Sequence, residues 1–405
     1  MPDATTAGPN PRPIAAGGRD LRFDFMRGLA MLSLITVHFE AFAWPNFLFW
    51  ERLGIFTGAE LFVVTAGLLI GITSRTPMAQ SGIGAVAARL LRRGFELYRA
   101  AVVLVLLVLL WDRLGPGDTT AATTFTDRFT GRSYPLLPAA AEPWWAVIGR
   151  IVLLRASPHQ MQILGLYVVL LAAAPLMLWL LSAGLHGLYF SLSWALYFLH
   201  LQQPVDYQLL GMQFEYAFPP LAWQVLFSHA VAIGYLRREI AALLEDARLR
   251  RLVVAAGVAL WAGFFLFAQA TPNPSFPDWA RLPLLSAETF QAVYDGFFAK
   301  NRLGILRIAN VAAFFVAFYA LLTYAWRPLN RALGWLLLPL GRSSLYVFLM
   351  HVPALALADQ LPGYFDGMPA FDPVRIWINT ALWLAIVLSL WWLVERRVLF
   401  SIVPR

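Results

Sequence analysis

The sequence predicts an all-α fold, a polytopic membrane bundle of about ten spanning helices with both termini in the cytoplasm. Three observations lead there. Of 405 residues, 60% are hydrophobic and only 13% charged, too little charge for the surface of a soluble domain of this length. The apolar residues gather into windows long enough to cross a bilayer. The charges between those windows alternate in sign from one connection to the next.

The windows fall at about 22–43, 55–74, 94–112, 161–182, 186–203, 218–236, 251–270, 303–325, 334–356 and 376–395, taking roughly 20 residues as one crossing. The fifth is interrupted at its flanks by Gly184 and Gly187. Basic residues crowd the N-terminal segment, the second, sixth and eighth connections and the C-terminus, including Arg75, Arg89, Arg92, Arg93, Arg237, Arg327 and Arg396. These connections are expected to be cytoplasmic. The opposite set carries Glu51, Glu142, Asp206, Glu215, Asp278, Asp359 and Asp372, and is expected to face the periplasm or exterior.

Residues 1–18, rich in Pro, Gly, Ala and Thr without an apolar run, are expected to form a disordered cytoplasmic tail rather than a signal peptide. Residues 19–405 then form one transmembrane domain. Two outer connections, about 113–160 and 271–302, are long for free coil. Their Trp144-Trp145 and Pro-Asp-Trp stretches suggest interfacial helices, serving as a roof or as simple membrane anchors. The net charge of +8 follows from the positive-inside bias and does not imply nucleic acid. Cysteine is absent, which excludes disulfides, thiol nucleophiles and thiolate metal sites; no metal is expected.

Polar residues inside the windows fall into two layers. Arg27 and His38 stand eleven positions apart on the first window. That is about 16 Å of axial rise and close to three whole turns, so both side chains share one helix face. Counted inward from the outer ends of their windows, Glu60 and His351 come to about the depth of His38, and Gln162, Gln224, Arg307 and Asn310 open spans that enter from outside. The inner layer holds Arg27, the Arg89, Arg92 and Arg93 cluster, and Arg342.

Each feature has a plain structural alternative. A neutral histidine bonded to a neighbouring helix is tolerated in a membrane, and arginines at a cytoplasmic boundary are ordinary. Glu60 favours chemistry at His38, because a carboxylate at that depth could orient the imidazole for base catalysis. Arg342, with serines beside it inside a window, is costly unless paired or hydrated. Arg307 pairs either with a ligand carboxylate or with Glu60 or an acid of the outer loops.

At this point the residues resemble a known family. Arg-Asp-Leu-Arg-Phe-Asp-Phe-Met-Arg-Gly-Leu-Ala (19–30), Ala-Glu-Leu-Phe-Val-Val-Thr-Ala-Gly (59–67), Leu-Tyr-Val-Val-Leu-Leu (166–171), Pro-Leu-Ala-Trp-Gln-Val-Leu-Phe (220–227), Lys-Asn-Arg-Leu-Gly-Ile-Leu-Arg (300–307) and Gly-Arg-Ser-Ser-Leu-Tyr-Val-Phe (341–348) resemble, in order, the OpgC family. That family is associated with succinylation of osmoregulated periplasmic glucans. The spacing of Arg27, ten residues and His38 is similar to the mark of the wider type 3 membrane acyltransferases.

The resemblance implies an acyltransferase that takes an acyl group, succinyl first and acetyl as the alternative, from cytoplasmic acyl-CoA to a hydroxyl of a periplasmic or cell-surface glycan. The inner residues Arg27, Arg89, Arg92, Arg93 and Arg342 would hold the donor's phosphates. His38 would act as general base with Glu60 orienting it, and His351 would serve as a second base or a gate. Gln162, Gln224 or Asn310 would donate to the oxyanion, and Arg307 would meet a succinyl carboxylate. Two rival classes remain: a glycan or lipid transporter, for which the sequence shows neither broken spans nor internal symmetry, and a non-catalytic assembly subunit.

Overall fold

The computed structural model describes residues 13–14, 18–126, 132–361 and 370–404. The tail expected to be disordered, 1–18, lies almost wholly outside them, as do 127–131 of the first long outer loop. Helix dominates. Among the described residues the only strands are Thr124–Thr126 and Ser133–Pro135, one antiparallel pair in that loop.

Among the described residues ten long helices carry the fold: α1 (Leu21–His38), α2 (Gly58–Leu114), α3 (Gln162–Ser182), α4 (His186–Leu201), α5 (Pro220–Tyr235), α6 (Ala247–Gln269), α7 (Ile305–Tyr324), α8 (Trp326–Arg342), α9 (Ser344–Ala358) and α10 (Arg375–Glu395). Every apolar window of the sequence falls on one or more of them. Five, namely α2, α3, α6, α7 and α10, are long and apolar enough to cross a membrane, and the bent pair α8 and α9 makes a sixth if taken as one span.

Two windows and the connection between them make up α2, which is two helices joined at a single residue, where a cytoplasmic loop was expected. Inside it Gly82 has φ +77° and ψ 170°, a backbone that only glycine adopts freely. The chain doubles back there. Arg89 Nη2 reaches the Thr73 carbonyl at 3.4 Å and Ser74 Oγ at 3.3 Å, whereas sixteen residues of unbroken helix would separate them by about 24 Å.

The window expected at 334–356 as a straight span is also different. It breaks at Ser343, where α8 and α9 meet at 91°. Pro339, one turn earlier in α8, has no amide hydrogen to continue the helical ladder. The straight helix expected over 334–356 is therefore a sharply bent pair.

Small residues set the packing around α1 and α2. A Cβ on Gly28 would overlap the Leu337 carbonyl of α8, and one on Gly341 would overlap the Asp24 carbonyl of α1. In the Gly67-x-x-x-Gly71 face of α2 a side chain would strike the backbone of α5 at Phe227 and Val231. Without a hydrophobic force between helices in lipid, such backbone approach is what gains dispersion contact. Phe42, Trp50 and Phe276 of the connections form a separate buried cluster with Ile376 at the start of α10, and Phe47 and Phe371 pack against it. The Trp144–Val152 segment is a nine-residue helix with both tryptophans exposed and Val147 and Ile151 buried. The Pro-Asp-Trp stretch makes only a 3-10 turn, Asp278–Ala280.

Candidate active site

Arg27 and His38 each cross from α1 to α9. Arg27 Nη2 donates to Ser344 Oγ at 2.5 Å, and His38 Nδ1 lies 2.9 Å from His351 Nε2. The two helices therefore run in the same direction and are joined at both ends of the Arg27 to His38 interval. Eleven residues on α1 rise about 16 Å against about 10 Å for the seven on α9, and the long arginine side chain takes up the difference.

The histidine pair has a defined proton order. His351 Nδ1 bonds to the Phe348 carbonyl, and a carbonyl can only accept, so Nδ1 carries the proton. His351 Nε2 is then an acceptor, and His38 Nδ1 must donate to it. In the neutral ring this puts the lone pair of His38 on Nε2, an assignment made from the hydrogen-bond network. The rings are near parallel, 19° apart, with centroids at 5.1 Å. His351 is 1% exposed and His38 9%. His38 is also the last residue of α1, where the unpaired carbonyls favour a positive charge.

Two neighbours escaped the sequence reading. His159, in the 3-10 turn that leads into α3, sets its ring edge-on to His38 at 5.6 Å. Glu40, two residues beyond His38, places Oε1 3.4 Å from His159 Nε2. The nearest sequence signal was a histidine at the mouth of a span and an acid directly after His38.

The carboxylate beside the histidines is thus not Glu60. Glu60 caps α2, accepting from Thr57 N at 2.9 Å and Thr57 Oγ1 at 2.7 Å, in the Thr-x-x-Glu capping box that the sequence carries at 57–60. Its other oxygen accepts from Arg307 Nη1 at 2.6 Å. Gly58 packs on Ala30 and Leu34 of α1, so Glu60 lies more than a turn inward of His38. The expectation that it orients His38 is corrected by these bonds.

Arg307 takes the alternative pairing. Fully buried, it donates from Nη1 to Glu60, from Nη2 to Glu51 at 2.6 Å and Tyr294 Oη at 3.1 Å, and from Nε to the Phe298 carbonyl at 2.6 Å. All three nitrogens are engaged by the protein, which replaces the expected contact with a ligand carboxylate. Gln224 is likewise occupied, by Ser193 of α4 on both sides of its amide (2.9 and 2.7 Å), so it ties helices together instead of facing an oxyanion. Asn310 is 0% exposed beside Gly54, and its amide has no partner. Gln162 is half-buried at the start of α3, three residues from His159.

At the inner end the hub is Asp24, which the sequence reading passed over. Buried at 2%, it accepts from Arg19 at 2.7 and 2.8 Å, and it lies 4.0 Å from Arg27 and 3.9 Å from Arg342. Arg93 and Tyr167 are within electrostatic reach of Arg27. Arg89 and Arg92 are exposed. Arg342 is 49% exposed at the α8 to α9 bend, 3.9 Å from Asp24. The bend opens on a cleft of about 520 Å³ whose lining includes Arg342, Ser343, Arg397 and Phe400. Among the described residues no group of three histidines or carboxylates is placed to hold a metal ion.

Several apolar helices around a buried histidine pair define a helical membrane protein. The model of one family, described as OpgC protein, matches residues 19–398, and the chain belongs to that family. Membership points to membrane acyltransferase activity on glycans. No curated protein and no solved structure matches the chain.

Proposed function

We propose that this protein moves an acyl group, most simply succinyl, from acyl-CoA on the cytoplasmic side of a bacterial inner membrane to a hydroxyl of a periplasmic or cell-surface glycan. Ten crossings with cytoplasmic termini, the whole of 19–405 acting as one domain, would put Arg27 at the donor's entry and His38 at the acceptor's. The reading rests on one observation above all: His38 Nδ1 lies 2.9 Å from His351 Nε2, whose other ring nitrogen bonds the Phe348 carbonyl, and from this the lone pair of His38 is assigned to Nε2.

In this mechanism His38 Nε2 takes the proton from the glycan hydroxyl as its oxygen attacks the thioester carbon. The carbon–sulfur bond then breaks, and the departing thiolate takes that proton from the imidazolium. General base catalysis of this kind contributes about 10²–10⁴-fold. His351 accepts from Nδ1 throughout and keeps the ring in the productive tautomer. The half-buried amide of Gln162, near His159, is the best placed of the three proposed oxyanion donors. At the inner end, Arg27, Arg93 and the cleft at Arg342 and Arg397 would hold phosphates and nucleotide, with the exposed Arg89 and Arg92 drawing the anion in.

Mass spectrometry of periplasmic and surface glycans from cells with and without the protein tests the reading. An acyl ester present only with the protein is expected; identical glycans overturn it. An acetyl ester would keep the mechanism and change the donor. A transporter is the second reading, favoured by the helix break at Ser343. It predicts glycan movement without release of CoA.

A further inference from the structure

The outer loops bury an arginine that lacks an anion. Arg52, just before α2, is 5% exposed. Its Nη2 donates to the Ala280 carbonyl and its guanidinium lies 4.8 Å over the Phe276 ring, but Nε and Nη1 are buried with no hydrogen-bond partner. The adjacent acid does not serve it. Glu51 adopts a left-handed backbone, φ +54°, and its carboxylate goes to Arg307. Burial alone pulls Arg52 down to about 10, with no carboxylate to offset it.

Two more unpartnered donors lie in the same loops. Arg281 Nε is buried without a partner one residue after the Ala280 carbonyl, its Nη2 being held by Asp278. Ser275 Oγ, buried beside Phe276, has none either. Buried charge is ordinarily paired, because an unpaired ion in low dielectric is costly. A guanidinium beside an aromatic ring gains no hydrogen-bond acceptor from it, so the N–H groups left open suit an anion with two acceptor oxygens, and a carboxylate is one.

We infer that Arg52, with Arg281 and Ser275, forms a carboxylate-binding site in the outer loops. The site is linked to the last turns of α1 through Trp50, which packs on Phe276 at 6.1 Å and donates to the Thr36 carbonyl at 3.3 Å. The carboxylate is the far end of a dicarboxylic acyl group on the donor or an acidic substituent of the acceptor glycan; this choice of source, unlike the site itself, rests on the acyl-transfer reading.

Direct binding to the purified full-length protein, by calorimetry and thermal shift, tests the site without turnover. Succinate is the probe and succinamide its neutral counterpart. Succinate is expected to bind and stabilise, succinamide to do neither, and Arg52→Gln to weaken succinate at least ten-fold; Arg281→Gln and Ser275→Ala, each weakening it several-fold, serve if Arg52→Gln fails to fold. Equal responses to the two probes, the result if water alone fills the site, or unchanged affinity in the variants overturns the inference. Turnover then separates the sources. A donor carboxylate predicts that Arg52→Gln lowers the preference for succinyl-CoA over acetyl-CoA at least ten-fold, and an acidic glycan predicts a ten-fold loss of preference for the acidic acceptor with either donor. Absence of acyl transfer in the unaltered protein would remove the function proposed above while the succinate measurement still reads the site.

Discussion

His38 Nδ1 lies 2.9 Å from His351 Nε2, and the opposite nitrogen of His351 is tied to the Phe348 carbonyl. In the proposed mechanism this pair would take the place of a carboxylate and histidine in other base catalysts, with a neutral orienter. Replacing His351 by Leu should lower kcat by about 10²-fold or more while leaving KM for the acyl donor near its original value. His351→Gln keeps an acceptor for the Nδ1 hydrogen and should recover most of that loss. Equal loss in both variants would mean that His351 only fills space.

Arg307 is a structural cation in this arrangement. Removing one partner of a buried pair leaves the other charge uncompensated, at a cost of about 3–5 kcal/mol. Arg307→Ala should therefore show a large fall in thermal stability, and Glu60→Ala a comparable one, with the double variant losing less than the sum. Any Arg307 variant that folds should keep its preference among acyl donors. A selective change in donor preference without loss of stability would restore the ligand role that the sequence suggested.

Gly28 and Gly341 allow α1 and α8 to meet backbone to backbone. A methyl group at either position has no space, and overpacking of this kind costs about 1–3 kcal/mol. Gly28→Ala and Gly341→Ala should each lower the melting temperature. Because α1 also carries Arg27 and His38 to α9, activity should fall further than stability alone explains. Wild-type melting in both variants would contradict the packing.

The inner arginines make a separable prediction. Arg93→Gln and Arg342→Gln each remove a group that would bond a donor phosphate, a charge-assisted contact of about 1.5–3 kcal/mol. KM for acyl-CoA should rise roughly ten-fold, with kcat little changed. Unchanged KM in both would dismiss the inner layer as a binding surface. Asp24→Asn tests the hub differently: with Arg19, Arg27 and Arg342 gathered near it, losing the carboxylate should destabilise the inner end of α1.

Helix positions were legible because crossing a bilayer demands a length and polarity that a single window of sequence displays. The face shared by Arg27 and His38 followed from helical periodicity alone. What failed was depth. Window edges are good to a few residues, about one turn, and that error brought Glu60 level with His38 when Gly58 in fact packs on Ala30 and Leu34. Partners were hidden for a different reason. Glu60 and Arg307 are 247 residues apart and His38 and His351 313, and no local pattern encodes which acid a buried arginine will meet. The capping box at Thr57 and Glu60 was readable, and would have warned that one carboxylate oxygen was already engaged.

The central claim, that His38 is the base of an acyl transfer, is tested most directly by CoA release in membranes holding the protein, with acyl-CoA and a glucan acceptor, comparing the unaltered chain with His38→Ala. Acceptor-dependent release that falls at least 10²-fold in His38→Ala, with the variant folded and inserted normally, is the result expected. Release at the original rate from His38→Ala would contradict the account.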